Sequence, residues 1–309
     1  MKKAIVTGGA GFAGYSLVKE LLDRGYQVVC PVRPGSPHNG RLEALKNSFD
    51  EKQGQDNLIL FPLDIKDILK LHRTLQTERL DMSGCLFFHL SWAGKRDDAE
   101  EQNSNIIPAM DAVRAASVIG ASRILITGSQ AEYGFNAGGS VLPGGSYKPA
   151  DENTLTCPVN SYGSAKTAAM YLTRDLARHV GISWNWLRIF SLYGEYEHSH
   201  TMLSYLRSCL EKREVPDLSS CTQTWDFLDV KDAARAMVAV SEKGREGEVY
   251  NIANGDYRPL KDFTEIIRNR IAPDININYA PETAEPVLSL RPSVEKLKND
   301  TGWRPEIQF

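Results

Sequence analysis

Two residues four positions apart carry the first chemical signal. In Tyr162-Gly163-Ser164-Ala165-Lys166 a phenol and an ammonium stand at i and i+4, which places both on one face of a helix. An ammonium beside a phenol favours the phenolate and lowers its pKa, each unit being worth about 1.4 kcal/mol. The expected result is a phenol that exchanges a proton with an alcohol or ketone oxygen near neutral pH. On a surface helix such a pair is ordinary, so its weight comes from what precedes it. Ser129, in Thr127-Gly128-Ser129-Gln130-Ala131-Glu132-Tyr133-Gly134, follows an apolar run that reads as a strand. A hydroxyl at the carboxyl end of a parallel strand faces the ligand edge of the sheet, where it holds the same oxygen as Tyr162. The plainer reading is a turn serine.

The second signal is Thr7-Gly8-Gly9-Ala10-Gly11-Phe12-Ala13-Gly14, with Gly8, Gly11 and Gly14 spaced as G-x-x-G-x-x-G between an apolar strand and a helical pattern. A pyrophosphate approaching backbone N–H groups at a helix N-terminus leaves no room for a Cβ, and the strand-before, helix-after context turns a glycine-rich turn into a dinucleotide site. Gly8, Gly11, Phe12, Ala13 and Gly14 are therefore expected at the cofactor. The second strand ends Val28-Val29-Cys30-Pro31-Val32-Arg33-Pro34 without a carboxylate for the ribose hydroxyls of NAD. Arg33 suits a 2′-phosphate instead, so NADP(H) is favoured and NAD(H) is the alternative. Asp64 and Ile65 are expected near the adenine; a capping aspartate is the plainer reading.

The elements that must position these groups alternate. Strands are read at Ala4–Thr7, Gln27–Val32, Asn57–Leu63, Cys85–Leu90, Arg123–Thr127 and Ser183–Phe190, with helices at Phe12–Arg24, Glu100–Ile119 and Tyr162–His179. Alternation of this kind implies a doubly wound, Rossmann-type α/β fold around a parallel sheet. Beyond Gly194 the pattern is broken, with helices at Met202–Glu211, Asp229–Val240 and Leu260–Asn269 and a strand at Glu248–Ala253. We expect a dinucleotide-binding region over 1–193, rejoined by 225–252, and a smaller α/β substrate region from 194–224 and 253–309.

The 309 residues, 42% hydrophobic and 24% charged with a net charge of -3, are ordinary globular values that draw neither nucleic acid nor an anionic membrane. No apolar run is long enough to span a bilayer. Five cysteines without a C-x-x-C pair, and histidines without a ligand pattern, point to free thiols in a cytoplasmic, reducing compartment and to no metal site. Cys157 is expected as a buried thiol.

Taken together, T-G-G-x-G-x-x-G, S-x-x-x-Y-G and Y-x-x-x-K resemble the extended short-chain dehydrogenases, in the nucleotide-sugar epimerase/dehydratase/reductase group. So do Leu187-Arg188-Ile189-Phe190-Ser191-Leu192-Tyr193-Gly194, Asp226-Phe227-Leu228-Asp229-Val230-Lys231-Asp232, Tyr250-Asn251-Ile252-Ala253-Asn254-Gly255 and Thr301-Gly302-Trp303-Arg304-Pro305. The resemblance implies Ser129, Tyr162 and Lys166 as the catalytic set, with Lys166 also holding the nicotinamide ribose. Leu90, Ser91, Trp92, Thr127 and Phe190 complete the expected cofactor contacts. It also implies a homodimer through helices at roughly 100–119 and 162–180. The run Phe88-His89-Leu90-Ser91-Trp92-Ala93-Gly94 and Gln223-Thr224-Trp225-Asp226-Phe227 resemble reductases similar to CDP-abequose synthase. Many members carry an arginine where Trp225 stands, for the substrate diphosphate; Arg207, Arg258 or Arg291 are the candidate replacements. Gln130, Ser191, His198, Trp225 and Arg291 are the expected substrate contacts, although Trp225 as a core aromatic and His198 as a solvated loop are the plainer readings.

A 4,6-dehydratase of this group resembles its relatives in placing carboxylates just after the catalytic serine. Here Gln130 and Ala131 stand there, and Glu132 should point elsewhere. The remaining reactions are NADPH-dependent reduction of a nucleotide-activated 4-keto-6-deoxy sugar, which is favoured, and 4-epimerisation with tightly bound NAD. A non-catalytic NADP sensor is a minor alternative, disfavoured because Tyr162 and Lys166 are both present.

Overall fold

Short runs rich in Val, Ile, Leu and Phe become strands here because helices cover them on both sides, so alternation with polar residues is unnecessary. The structure is a computed structural model that describes residues 2–53, 57–282 and 288–309. Six strands, β1 (Lys2–Thr7), β2 (Tyr26–Val32), β3 (Leu58–Pro62), β4 (Leu86–His89), β5 (Arg123–Ser129) and β6 (Ser183–Ile189), alternate with helices. Two short strands follow, β7 (Ser191–Tyr193) and β8 (Phe227–Asp229), and then β9 (Val249–Ile252). The main sheet has seven strands in the order β9-β6-β5-β4-β1-β2-β3, and its pairings are parallel. Its winding reverses between β1 and β4, which is where such sheets open a crevice at the carboxyl edge.

Helix α1 (Phe12–Asp23) packs on one face with Leu17, Val18, Leu21 and Leu22 buried. Beside it lies the helix Val230–Lys243, and both meet Leu125, Leu187 and Tyr250 in one core. The other face is covered by Ile106–Ile119 and Ser161–Val180, whose Ala112, Val113, Ala169 and Met170 meet Ile124, Ile126 and Trp186. A smaller core gathers Leu203, Leu206, Phe227, Phe263 and Phe309.

The helix expected over Glu100–Ile119 is two, α4 (Ala99–Asn103) and α5 (Ile106–Ile119), in a helix series that also includes α2 (Asn39–Gln53) and α3 (Leu71–Thr77). The break lies at Ser104-Asn105. The Asn105 amide donates to the carbonyls of Ala93, Glu101 and Gln102, which ties the helix junction to the loop after β4. Pro108 belongs in a first turn, where its missing N–H costs nothing. Helix α2 has no apolar stripe strong enough to be read in advance, since among its described side chains Leu42 and Leu45 are the buried anchors.

The remaining helices are α6 (Ser161–Val180), α7 (Met202–Glu211), α8 (Val230–Lys243), α9 (Leu260–Ile271) and α10 (Glu295–Thr301). The acidic motif after Trp225 is structural. Asp226 accepts from the N–H groups of Asn254 and Gly255 at 2.9 and 2.7 Å. Asp229 caps α8 through Lys231 N, and buried Asp232 accepts from Glu306 and Ile307 N. Leu297 and Trp303 join the core around α1 and α8. The chain after 253 therefore divides its packing between the two cores instead of staying with the smaller one. The described cysteines are free thiols, and Cys157 is exposed, against expectation, because it lies in the loop preceding α6. Among the described residues no helix is long and apolar enough to cross a membrane, and no cluster of metal-ligating side chains occurs.

Candidate active site

The glycine loop closes against the loop after β4. Gly8 has φ +74°, and a Cβ there would stand 2.8 Å from Ser91 N; a Cβ on Gly14 would stand 2.0 Å from Gly8 O. Only glycine lets the strand turn into α1 this tightly. The cleft beside the loop, a cavity of about 290 Å³, is lined by Gly8 to Gly11, Arg33, Ile65, Leu90, Ser91 and Trp92. Ser36, His38 and Asn39 also line it. Asn39 donates to Arg33 O at 2.9 Å, while its own Oδ1 is buried without a partner. A cleft lined by the glycine loop, together with an orphaned acceptor, fits a dinucleotide. Asp64 is a correction. Its carboxylate accepts from Lys66 N at 3.0 Å as the cap of the turn Ile65–Lys70, and it does not line the cleft. The hydroxyl of Thr7 and Nδ1 of buried His89 lie 2.9 Å apart. That links the glycine loop to β4, and burial pushes the imidazole down to about 3.

A larger cavity of about 610 Å³ adjoins the cleft and holds Ser129, Gln130, Tyr162 and Lys166 on its wall, with Thr127 and Phe190 beside them. Helix α6 starts here because Asn160 accepts from Gly163 N. Gly163 has no room for a Cβ, which would stand 2.3 Å from Ala131 O, so the first turn of α6 presses onto the Ser129 turn. Ser129 Oγ donates to Gln130 Oε1 at 2.9 Å and accepts from Ala131 N at 3.2 Å.

The electrostatics differ from the expectation that Lys166 acidifies Tyr162. Lys166 Nζ donates to Thr127 O at 2.7 Å and lies 3.7 Å from the centroid of the Trp92 ring. Burial pulls its ammonium down to about 7. Burial pushes the Tyr162 phenol up, and the downward influences are a hydrogen bond with Ser129 and the charge of Arg96. Arg96, which sequence reasoning missed, lies 4.8 Å over the Tyr162 ring, and its carbonyl accepts from Tyr162 N. Nothing in the spacing of its loop announced it.

Glu132 turns inward. It is fully buried and accepts from Ser129 N, Trp186 Nε1 and Arg188 Nε, each at 2.8 Å. Ser191, His198 and Trp225 line the larger cavity, as does Phe12 with Ala13 at the start of α1. Gln223 does too, and its Oε1 is buried without a partner. Arg291 is a second correction. It donates to Gly138 O and Thr224 Oγ1 at 3.1 and 2.7 Å and packs 4.0 Å from the Tyr147 ring centroid, so it braces the hairpin after β5 and does not line the cavity. Arg207 pairs with Glu197 and Arg258 with Asp256. Among the described residues, Arg96 is the arginine on the cavity wall.

Residues 4–253 match the model of the NAD dependent epimerase/dehydratase family. The chain belongs to that family of enzymes. UDP-glucuronic acid decarboxylase 1 of Arabidopsis thaliana is 24% identical over 99% of this chain and 67% of its own length. The dTDP-6-deoxy-L-talose 4-dehydrogenase (NAD(+)) of Aggregatibacter actinomycetemcomitans is 25% identical over 84% of this chain and 87% of its own. The crystal structure of UDP-glucose 4-epimerase from Thermotoga maritima with UDP-glucose superposes with a TM-score of 0.81, at 22% identity, covering 99% of this chain and 94% of that one. The family carries NAD, and the cleft beside the glycine loop of this chain is built for a dinucleotide of that kind.

Proposed function

We propose that the enzyme reduces the 4-keto group of a nucleotide-activated 6-deoxy sugar with NADPH. The observation that carries this reading is the convergence of Ser129, Tyr162 and Lys166 on one cavity wall, beside the glycine-loop cleft, with Gln130 and not a carboxylate following the serine. Bound nicotinamide supplies or accepts the hydride. Ser129 and Tyr162 hold the C4 oxygen, Tyr162 gives it a proton, and Lys166 would hold the nicotinamide ribose. Gln130 and inward-facing Glu132 leave no acid–base pair for a C5–C6 elimination. The one carboxylate on the cavity wall among the described residues is Glu197, already bound to Thr201 and Arg207.

The cofactor preference rests on the outer cleft, which presents Arg33 and no carboxylate among the described residues. That lining suits a 2′-phosphate. Two copies are proposed to pair through α5 and α6, which expose Ile107, Val118, Tyr171 and Leu172 at 61, 62, 49 and 44%.

Incubating the enzyme with NADPH or NADH and a panel of nucleotide 4-keto-6-deoxy sugars, while following the absorbance of the reduced nicotinamide, tests the reading. Stoichiometric oxidation with NADPH, faster than with NADH, is the expected result. Interconversion of 4-hydroxy sugars without net redox, by protein purified with bound NAD, would replace reduction with 4-epimerisation, which uses the same three residues.

A further inference from the structure

Two loops meet above the first turn of α1, and the catalytic set accounts for neither. One follows β2 and leads through Arg33 and His38 into α2, where Arg41 stands. The other, residues 194–201, follows β7. Tyr196 joins them: its φ of 65° lies in the left-handed region that side-chain-bearing residues rarely occupy. Its ring meets Tyr15 of α1 edge-on at 4.7 Å, and the Arg41 guanidinium lies 4.3 Å over it. His198 stacks on His200 at 5.3 Å and meets Phe12 edge-on at 6.3 Å. His38 lines the dinucleotide cleft and His198 the reaction cavity. The two cavities meet at the start of α1, where Gly11 lines the first and Phe12 the second.

The Arg41 guanidinium and three imidazoles, His38, His198 and His200, therefore gather about one spot. Partial burial holds the His198 imidazole below its ordinary value, His200, His38 and Arg41 add to it, and Glu197 opposes them. That carboxylate is committed to Thr201 at 2.6 Å and Arg207 at 3.2 Å, while Glu195 acts on Tyr15. A doubly charged group placed between the loops would relieve the repulsion and favour the imidazolium.

We infer that His198 and His38, backed by Arg41 and His200, grip the pyrophosphate of the dinucleotide from the side opposite the α1 N-terminus, closing the 194–201 loop over the cofactor. The inference rests on the reading that the glycine loop carries the dinucleotide. Because the anion favours the protonated imidazole, binding takes up protons and weakens as pH rises. A single linked proton changes affinity by at most about tenfold per pH unit, so a loss of about threefold to tenfold is expected between roughly pH 6 and pH 8.

Calorimetric titration of the whole chain with NADP+ and with NAD+, in two buffers of different ionisation enthalpy, counts the protons. His198→Phe keeps the ring contacts with Phe12 and His200 but cannot be protonated. The expected result is proton uptake by the wild type, with His198→Phe losing about fivefold in affinity near pH 6 and most of its pH slope, and His38→Asn losing part of it. Uptake that persists in His198→Phe belongs to His38 and Lys166. Equal uptake and equal affinity in the wild type and His198→Phe would overturn the inference while leaving the dinucleotide site intact. Absence of binding by either dinucleotide would overturn both together.

Discussion

Burial acts on Tyr162 and Lys166 in opposite senses, since it disfavours the charged form of each. The phenol is pushed up and the amine down to about 7, so near neutral pH the proton rests on the phenol while the amine titrates. A phenol that keeps its proton suits donation to a ketone oxygen, the direction of reduction. Lys166 needs neighbours to hold its charge, and Thr127 O, the faces of Trp92 and Tyr162 and the charge of Glu132 serve it. Tyr162→Phe removes the proton donor and leaves the glycine loop untouched. Turnover is expected to fall by about 10² or more, with dinucleotide affinity measured by titration nearly unchanged. Equal turnover would remove Tyr162 from the proton transfer. The i, i+4 spacing was legible in sequence; the direction of the pKa shifts was not, because it depends on how deeply the fold buries both groups and on Ser129 and Arg96, which other elements bring to them.

Between residues and fold lies the turn Gln130–Glu132, which joins β5 to the active site. Ser129 and Glu132 form a capping box, a signature readable as S-x-x-E. Its orientation came from β6, whose Trp186 and Arg188 supply the donors that draw Glu132 inward. Tyr133 extends the network, donating to Asn251 Oδ1 and accepting from Arg188, each at 2.8 Å. Removing one partner of a buried pair strands the other charge, which costs about 3–5 kcal/mol. Glu132→Gln is expected to lose stability of about 3 kcal/mol in urea denaturation and to lower turnover by releasing Ser129 N. A loss below about 0.5 kcal/mol would show that the pair does not hold this turn. The same scale explains the broken helix: period alone joined Glu100 to Ile119, and the Asn105 amide, pulled toward Ala93, separated them.

At the scale of the molecule, the reversal of strand order between β1 and β4 puts the dinucleotide cleft and the reaction cavity side by side, with Leu90 and Trp92 lining both. On the far side, α5 and α6 lie together with an apolar outer face, the surface proposed for dimer contact. Sedimentation of the wild type is expected to show a dimer. Tyr171→Asp with Leu172→Asp is expected to sediment as a monomer, because a carboxylate buried at such an interface lacks a partner. A wild-type monomer at micromolar concentration would remove this face from consideration.

Local rules sufficed for the strands, most helices, the glycine loop and the Tyr162–Lys166 pair, because each depends on neighbours within about one helical turn. Tertiary packing alone decided that Arg291 braces a hairpin, that Arg96 covers Tyr162 and that His198 meets Phe12 at the start of α1. These assignments depend on which distant backbone and side-chain groups come within hydrogen-bonding or charge range. Sequence spacing holds no information about that until the sheet is wound.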